Sequence, residues 1–344
     1  MKPKVYITRK IPEPGIRLIG EYCIITLHKK EAPPTREEII KNIAGKDALL
    51  CLLTERIDRE VLEAGPDLKV ISTYSAGFEH IDVAAATEKG IYIGYTPGVL
   101  TEATADLAFA LILAASRNIV QADSFVRGKR WTISWSPSLL LGRSVRGSTI
   151  GIIGLGRIGR AVAQRARGFD MRVLYTDAKR SSSAEEKRLH AEYRPLPDLL
   201  RESDFVTIHT PLTKETFRLI DAKRLRLMKP TAILINTSRG QTVDEKALIE
   251  ALREKRIAGA GLDVFEKEPL GKDNPLLGLP NVTLLPHIGS ATHEARGKMS
   301  EIAARNLLNV LMGKPPLHWL NPDAAKIRPL KKLSAINMLL STNF

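Results

Sequence analysis

Three residues at the ends of apolar runs could together bind a carboxylate and deliver a proton: Arg239, Glu268 and His287. Arg239 lies in Ile235-Asn236-Thr237-Ser238-Arg239-Gly240, and Glu268 follows Gly261-Leu262-Asp263-Val264-Phe265 within the same segment. His287 lies in Pro286-His287-Ile288-Gly289-Ser290. Ligands of open α/β sheets bind outside the carboxyl ends of the strands, which is where these residues fall. A guanidinium can clamp a carboxylate bidentately and polarise a carbonyl oxygen. Histidine releases a proton near physiological pH, and a neighbouring carboxylate favours its charged form. This set suits reduction of a ketone, in which oxygen takes a proton as carbon takes hydride. Each residue alone also has a plainer reading: a surface ion pair for Arg239, a surface acid for Glu268, a helix cap or core residue for His287. Three of them at successive run ends, behind a cofactor motif, favour the chemical reading.

That cofactor motif is Gly154-Leu155-Gly156-Arg157-Ile158-Gly159, placed after the apolar run 148–153 and before a helical segment at 160–169. Asp177 closes the next apolar stretch. The order is strand, glycine turn, helix, strand, acid. Glycines let the backbone turn and approach a pyrophosphate, and the helix N-terminus offers amides and positive partial charge. Asp177 stands where a carboxylate accepts from a ribose 2′-hydroxyl, which favours NAD. Ala178, Lys179 and Arg180 continue the same loop, and the two cations could embrace a 2′-phosphate, which keeps NADP as a second option.

The elements that must position these groups follow from the rest of the chain. Its 344 residues suggest two domains, and an apolar fraction of 44% suffices for full cores. No apolar run reaches the ~18 residues of a bilayer span, and the N-terminus carries no secretion pattern. Cys23 and Cys51 sit among apolar residues and read as reduced core thiols, so a cytoplasmic, membrane-free protein is expected. The formal charge of +14 invites a nucleic-acid reading, but the cations are dispersed among acids and apolar residues, and aromatic content is only 5%. With few stacking platforms, a solvated charged surface is the better account.

Runs at 4–8, 23–27, 48–53, 70–74 and 91–95 read as strands separated by helices. Thr35 and Glu38 have capping-box spacing. A long apolar helix at 101–118 precedes the glycine turn, and strands follow at 173–175, 205–209, 232–236, 259–262 and 282–285. Alternation of this kind gives an α/β fold with parallel sheets. The last helix, 292–311, could return to the first domain, while 326–344 shows no clear period and reads as a loose terminus, a partner segment or a cloning remnant. No histidine has metal-ligand spacing, and no metal is expected.

Together these motifs resemble the D-2-hydroxyacid dehydrogenase family, and within it the glyoxylate/hydroxypyruvate reductases, over residues 3–322. The resemblance implies two Rossmann-like parallel-sheet domains, one flavodoxin-like and one doubly wound, with the active site in the cleft between them. Residues 1–98 plus 290–322 would form the substrate-binding domain, 99–289 the dinucleotide-binding domain, and 323–344 a tail. It implies catalysis by Arg239, Glu268 and His287, substrate contacts from Arg239 and His287, and cofactor contacts from Thr104, Thr237, Ser238, Arg239, Asp263, His287 and Gly289 besides the glycine turn and 177–180 loop. Segment 74–82 resembles the substrate loop of the reductases, whose amides at Ala76 and Gly77 would hold a carboxylate. Ala76 is not a lysine, which argues against a phosphite dehydrogenase, and 95–106 fits glyoxylate reductases better than phosphoglycerate dehydrogenases. No long C-terminal regulatory domain is expected. Leu53, with Leu52, either lines a small pocket or is ordinary strand core. The family further implies homodimers through the nucleotide domain; Trp135 either packs in that interface or reaches the partner subunit's substrate pocket, as a matching tryptophan does in some relatives. The implied reaction is NAD(P)H-dependent reduction of glyoxylate to glycolate, and of hydroxypyruvate to glycerate. The alternatives are another D-2-hydroxyacid dehydrogenase, such as phosphoglycerate dehydrogenase, and a non-catalytic, NAD-sensing protein like the corepressors of this fold.

Overall fold

Every apolar run expected to be a strand is one in the computed structural model, which describes residues 2–336. The chain divides into two units: residues up to Leu100 with those from Ala291 onward, and Thr101–Ser290. These breaks fall one or two residues later than the sequence suggested.

The first unit holds β1 (Lys4–Ile7), β2 (Ile24–Leu27), β3 (Ala48–Cys51), β4 (Val70–Thr73) and β5 (Tyr92–Gly94). They pair in the order β2-β1-β3-β4-β5, all parallel, which is the flavodoxin-like order. Side chains alternate across a strand, so Val5, Ile7 and Leu50 enter one core while Tyr6, Leu49 and Cys51 enter another. The capping box forms as expected at Thr35 and Glu38. The helix His293–Leu311, capped by Thr292, covers one face through Ala303, Leu307 and Leu311. The expected tail at 323–344 needs correction over its described part. Ala324, Leu333 and Ile336 are buried in that same core, and the Asn321 side chain accepts from Ile93 N at 2.8 Å. Apolar side chains spaced too irregularly to show a period still fill the sheet's open face. Residues 337–344 of that tail lie outside the described residues.

The second unit holds β6 (Thr149–Ile153), β7 (Arg172–Thr176), β8 (Ala191–Tyr193), β9 (Phe205–Ile208), β10 (Ile233–Asn236), β11 (Gly259–Leu262) and β12 (Val282–Leu284). The order is β12-β11-β10-β9-β6-β7-β8, again parallel throughout. This is the doubly wound arrangement, with the direction of winding reversing between β6 and β9. Central strands are buried on both faces, as helix-covered parallel sheets require. The apolar helix ends at Ser116, after which left-handed Asn118 (φ 51°) turns the chain into a second helix, Ile119–Arg127. Asparagine tolerates that conformation better than most residues. That second helix, and strand β8, were not anticipated.

Candidate active site

The glycine turn begins where β6 ends. Gly154 has φ +93°, and a Cβ there would stand 2.9 Å from the His209 carbonyl carbon. A Cβ on Gly159 would come within 2.1 Å of the Gly154 oxygen, so the helix Arg157–Arg167 can approach the turn only without a side chain at that position. Gly156 caps this helix with no side chain, and a Cβ there would meet no protein atom within 4 Å. The helix start is thus an open cradle of amides. Leu155 is buried, Ile158 half-buried and Arg157 exposed. Asp177, just past β7, accepts from Leu155 N at 2.7 Å.

Three buried polar atoms near this turn have no partner: His209 Nδ1, Thr210 Oγ1 and Thr237 Oγ1. They follow β9, which pairs with the strand that leads into the glycine turn, and β10, one strand further across the sheet. Burial pushes the His209 pKa down to about 3, so the ring is neutral, and its Nε2 meets Thr207 Oγ1 at 2.8 Å. Buried polar groups are normally satisfied, so orphans at adjacent strand ends fit a polar ligand. Together with the cradle, they fit a dinucleotide. The sequence reading included Thr237 but missed His209 and Thr210, although His209-Thr210-Pro211 directly follows an apolar strand.

The loop that carries His287 is built by Asp263. Its carbonyl accepts from His287 N at 2.9 Å, and its carboxylate accepts from Ile288 N at 2.7 Å and Gly289 N at 2.8 Å. These bonds hold His287 at φ 54°, a conformation costly for a non-glycine residue. Burial raises the Asp263 pKa, and the amides of Ile288 and Gly289 oppose that rise. A Cβ on Gly289 would lie 3.3 Å from Asp263 Oδ2 and 3.5 Å from Thr104 Cγ2, so these three expected contacts come together.

His287 Nδ1 lies 2.7 Å from Glu268 Oε2, while Glu268 Oε1 accepts from Phe265 N at 3.0 Å. Burial would raise the Glu268 pKa, but the hydrogen bond and charge of His287, the Phe265 amide and the Arg239 charge hold it below the ordinary value. Arg239 follows β10, and its carbonyl accepts from Asn236 Nδ2 at 3.0 Å and Thr242 Oγ1 at 2.7 Å. Asn236 Oδ1 also accepts from Ser238 N and Oγ, and Arg239 Nη1 donates to Ser238 O. Arg239, Glu268 and His287 are thereby assembled at the carboxyl ends of β10, β11 and β12 within one unit.

In the first unit, the loop after β4 is held by a chain of hydroxyls. Thr73 Oγ1 meets Ser75 Oγ at 2.7 Å and His80 Nε2 at 3.0 Å, and Ser75 Oγ donates to Gly77 O at 2.5 Å. Ala76 and Gly77 are half-buried on this loop. Leu53 lies beyond the end of β3 and is 41% exposed, which removes the strand-core reading. Glu55 is buried, a placement not anticipated for a carboxylate, and it accepts from Thr8 Oγ1 and Leu52 N. Ala178, Lys179 and Arg180 form an exposed loop, in which Arg180 pairs with Glu186.

Residues 109–289 match the family model for the D-isomer specific 2-hydroxyacid dehydrogenase NAD-binding domain. The chain is 53% identical to a glyoxylate reductase of Thermofilum pendens, covering 97% of this chain and 99% of that protein. The chain belongs to the D-isomer specific 2-hydroxyacid dehydrogenases. A second member, a glyoxylate reductase of Korarchaeum cryptofilum, is 53% identical over 96% of this chain and 99% of its own. An NADPH-dependent glyoxylate/hydroxypyruvate reductase from Sinorhizobium meliloti, solved with NADP and malonate, superposes with a TM-score of 0.80 at 31% identity, covering 94% and 98% of the two chains. The family is one of NAD(P)-dependent oxidoreductases, which agrees with the cradle and orphaned groups of the second unit.

Proposed function

We propose that this dehydrogenase reduces glyoxylate to glycolate, and hydroxypyruvate to glycerate, using NAD(P)H. The observation that carries the reading is the His287–Glu268 pair, 2.7 Å apart and within the electrostatic reach of Arg239, on the sheet that bears the glycine turn. The relatives named glyoxylate reductase support the choice of acid. The residues of the glycine turn, with Thr104, Asp177, Thr237, Ser238, Asp263 and Gly289, hold the dinucleotide. A bound dihydronicotinamide supplies the hydride. Arg239 clamps the substrate carboxylate and polarises the keto oxygen; in the first unit, the amides of Ala76 and Gly77 and the side chain of Leu53 are the groups that the family resemblance assigns to the substrate. His287 passes its proton to that oxygen, giving the hydroxyl, and recovers a proton from water.

The protein acts as a homodimer through the second unit. Support comes from its exposed apolar segment, where Ile119, Val126, Trp131, Ile133, Trp135 and Leu141 are each more than half exposed in the single chain. A cytoplasmic location is consistent with two buried free thiols. Among the described residues no single helix is long and apolar enough to cross a membrane. The deciding experiment is a spectrophotometric assay of glyoxylate, hydroxypyruvate and 3-phosphohydroxypyruvate, each with NADH and NADPH. Turnover of the first two supports the reading. Exclusive use of the phosphorylated acid, or no turnover of any, overturns it.

A further inference from the structure

The loop after β7 carries one acid and two cations within four residues, and the structure treats the cations differently. Arg180 donates from Nε to Glu186 Oε1 at 2.8 Å and from Nη2 to Glu186 Oε2 at 3.0 Å, a bidentate pair. Its guanidinium also lies over the Tyr193 ring, 5.4 Å from the centroid. Glu186 is itself fixed, because Tyr175 Oη, in a fully buried side chain, donates to Oε1 at 2.6 Å. The same hydroxyl accepts from Ser181 N at 3.0 Å, so one network sets both the loop's path and the arginine's direction. Asp177, by contrast, meets the glycine turn through Leu155 N. A carboxylate has about four acceptor sites, so this bond leaves it able to accept ribose hydroxyls.

We infer that Glu186 determines the choice between the two nicotinamide dinucleotides: by committing Arg180 to itself and to Tyr193, it leaves Asp177 without a bidentate cation to offset it and so selects NADH over NADPH. This rests on the reading that the glycine turn and Asp177 hold the dinucleotide. The physical reason is charge. An ionised Asp177 repels a 2′-phosphate, and the cation on this loop best shaped to bind that phosphate bidentately is already occupied. Lys179 remains as a point charge, which cannot supply the same fork. The selectivity therefore depends on a residue that lies nine positions beyond the discriminating acid and does not itself contact the nucleotide.

The test measures dissociation constants of NADH and NADPH for the full chain by nicotinamide fluorescence, without turnover. Glu186→Gln keeps the shape and a partner for Tyr175 but weakens the hold on Arg180, and it should tighten NADPH relative to NADH by about tenfold. Glu186→Ala should shift the ratio in the same direction, and it keeps the test decisive if the glutamine variant folds poorly. Adding Arg180→Ala to either variant should restore the original ratio. Asp177→Asn provides the separate check on the underlying reading, and should itself favour NADPH. If Asp177→Asn moves the ratio and neither Glu186 variant does, the inference about Glu186 is overturned while the site assignment stands. If none of the three moves it, both are overturned.

Discussion

Two carboxylates in the second unit hold a nitrogen base near the end of a strand, and they use the bond for opposite ends. Glu268 faces His287 at 2.7 Å, and Glu186 faces Arg180 at 2.8 Å. Both pKa values are held below the ordinary range, that of Glu186 at about 2 by its hydrogen bonds from Arg180 and Tyr175. The difference lies in the partner. An arginine keeps its proton at any pH the fold survives, so the Glu186 pair can only hold a shape. A histidine exchanges its proton near neutrality, so the Glu268 pair can do work on a substrate. The backbone follows the same division: His287 sits at φ 54° in a turn whose amides at His287, Ile288 and Gly289 all donate to Asp263, whereas the Arg180 loop is secured through side chains. Orientation is enforced most strongly at the residue proposed to deliver a proton to one atom.

The comparison breaks first at His287. Removing a general acid costs about 10²- to 10⁴-fold, so His287→Ala should lower kcat by that order while largely keeping the dinucleotide's affinity. Near-normal glyoxylate reduction by this variant would place the proton donor elsewhere. Arg239→Ala should have the next largest effect, raising KM and lowering kcat together, for a loss of roughly 10- to 100-fold in kcat/KM, because a charge-assisted clamp acts in both ground and transition states. A steady-state analysis returning an unchanged KM would remove Arg239 from the carboxylate site.

How much of this was legible in the sequence follows the same division. Arg239, Glu268 and His287 could be found because each ends or follows an apolar run, and strand ends are where such folds bind ligands. The strands themselves were read closely because they are buried on both faces and appear as apolar runs. Strand β8, Ala191–Tyr193, was missed because it is a three-residue edge with an exposed glutamate at its centre. Glu186 and Glu55 were illegible for a different reason. A lone glutamate among polar neighbours reads as solvated, and only the placed side chains show Glu55 buried against Thr8 or Glu186 locked by a buried tyrosine. The packing of 324–336 carried no period either, since its buried residues are spaced by fit to the sheet rather than by a helix repeat.

A subtler test concerns Glu268 itself. Its carboxylate meets His287 Nδ1 at 2.7 Å and fixes the ring's orientation for the proposed proton transfer. Glu268→Gln keeps the shape but weakens that hold, so reductive kcat should fall by roughly 10-fold while the dinucleotide's affinity is kept. An unchanged kcat in steady-state assays would reduce Glu268 to a spacer.

The smallest effect separates the two pairs most cleanly. The Glu186 carboxyl is lowered to about 2 in the folded chain, against an ordinary value of about 4.3 when unfolded. A depressed carboxyl adds stability that is complete above the unfolded value and is lost as pH falls towards the folded one. Thermal unfolding between about pH 5 and pH 2 should therefore show a shallower acid decline in Glu186→Gln than in the parent. The same variant should keep the parent's pH profile of kcat at saturating NADH, since Arg180 does not titrate there and no proton passes through the pair. A Glu186→Gln enzyme whose catalytic pH profile moved away from the parent's would show the two carboxylates to be electrostatically one system, and the partner's ability to exchange a proton would no longer explain their different roles.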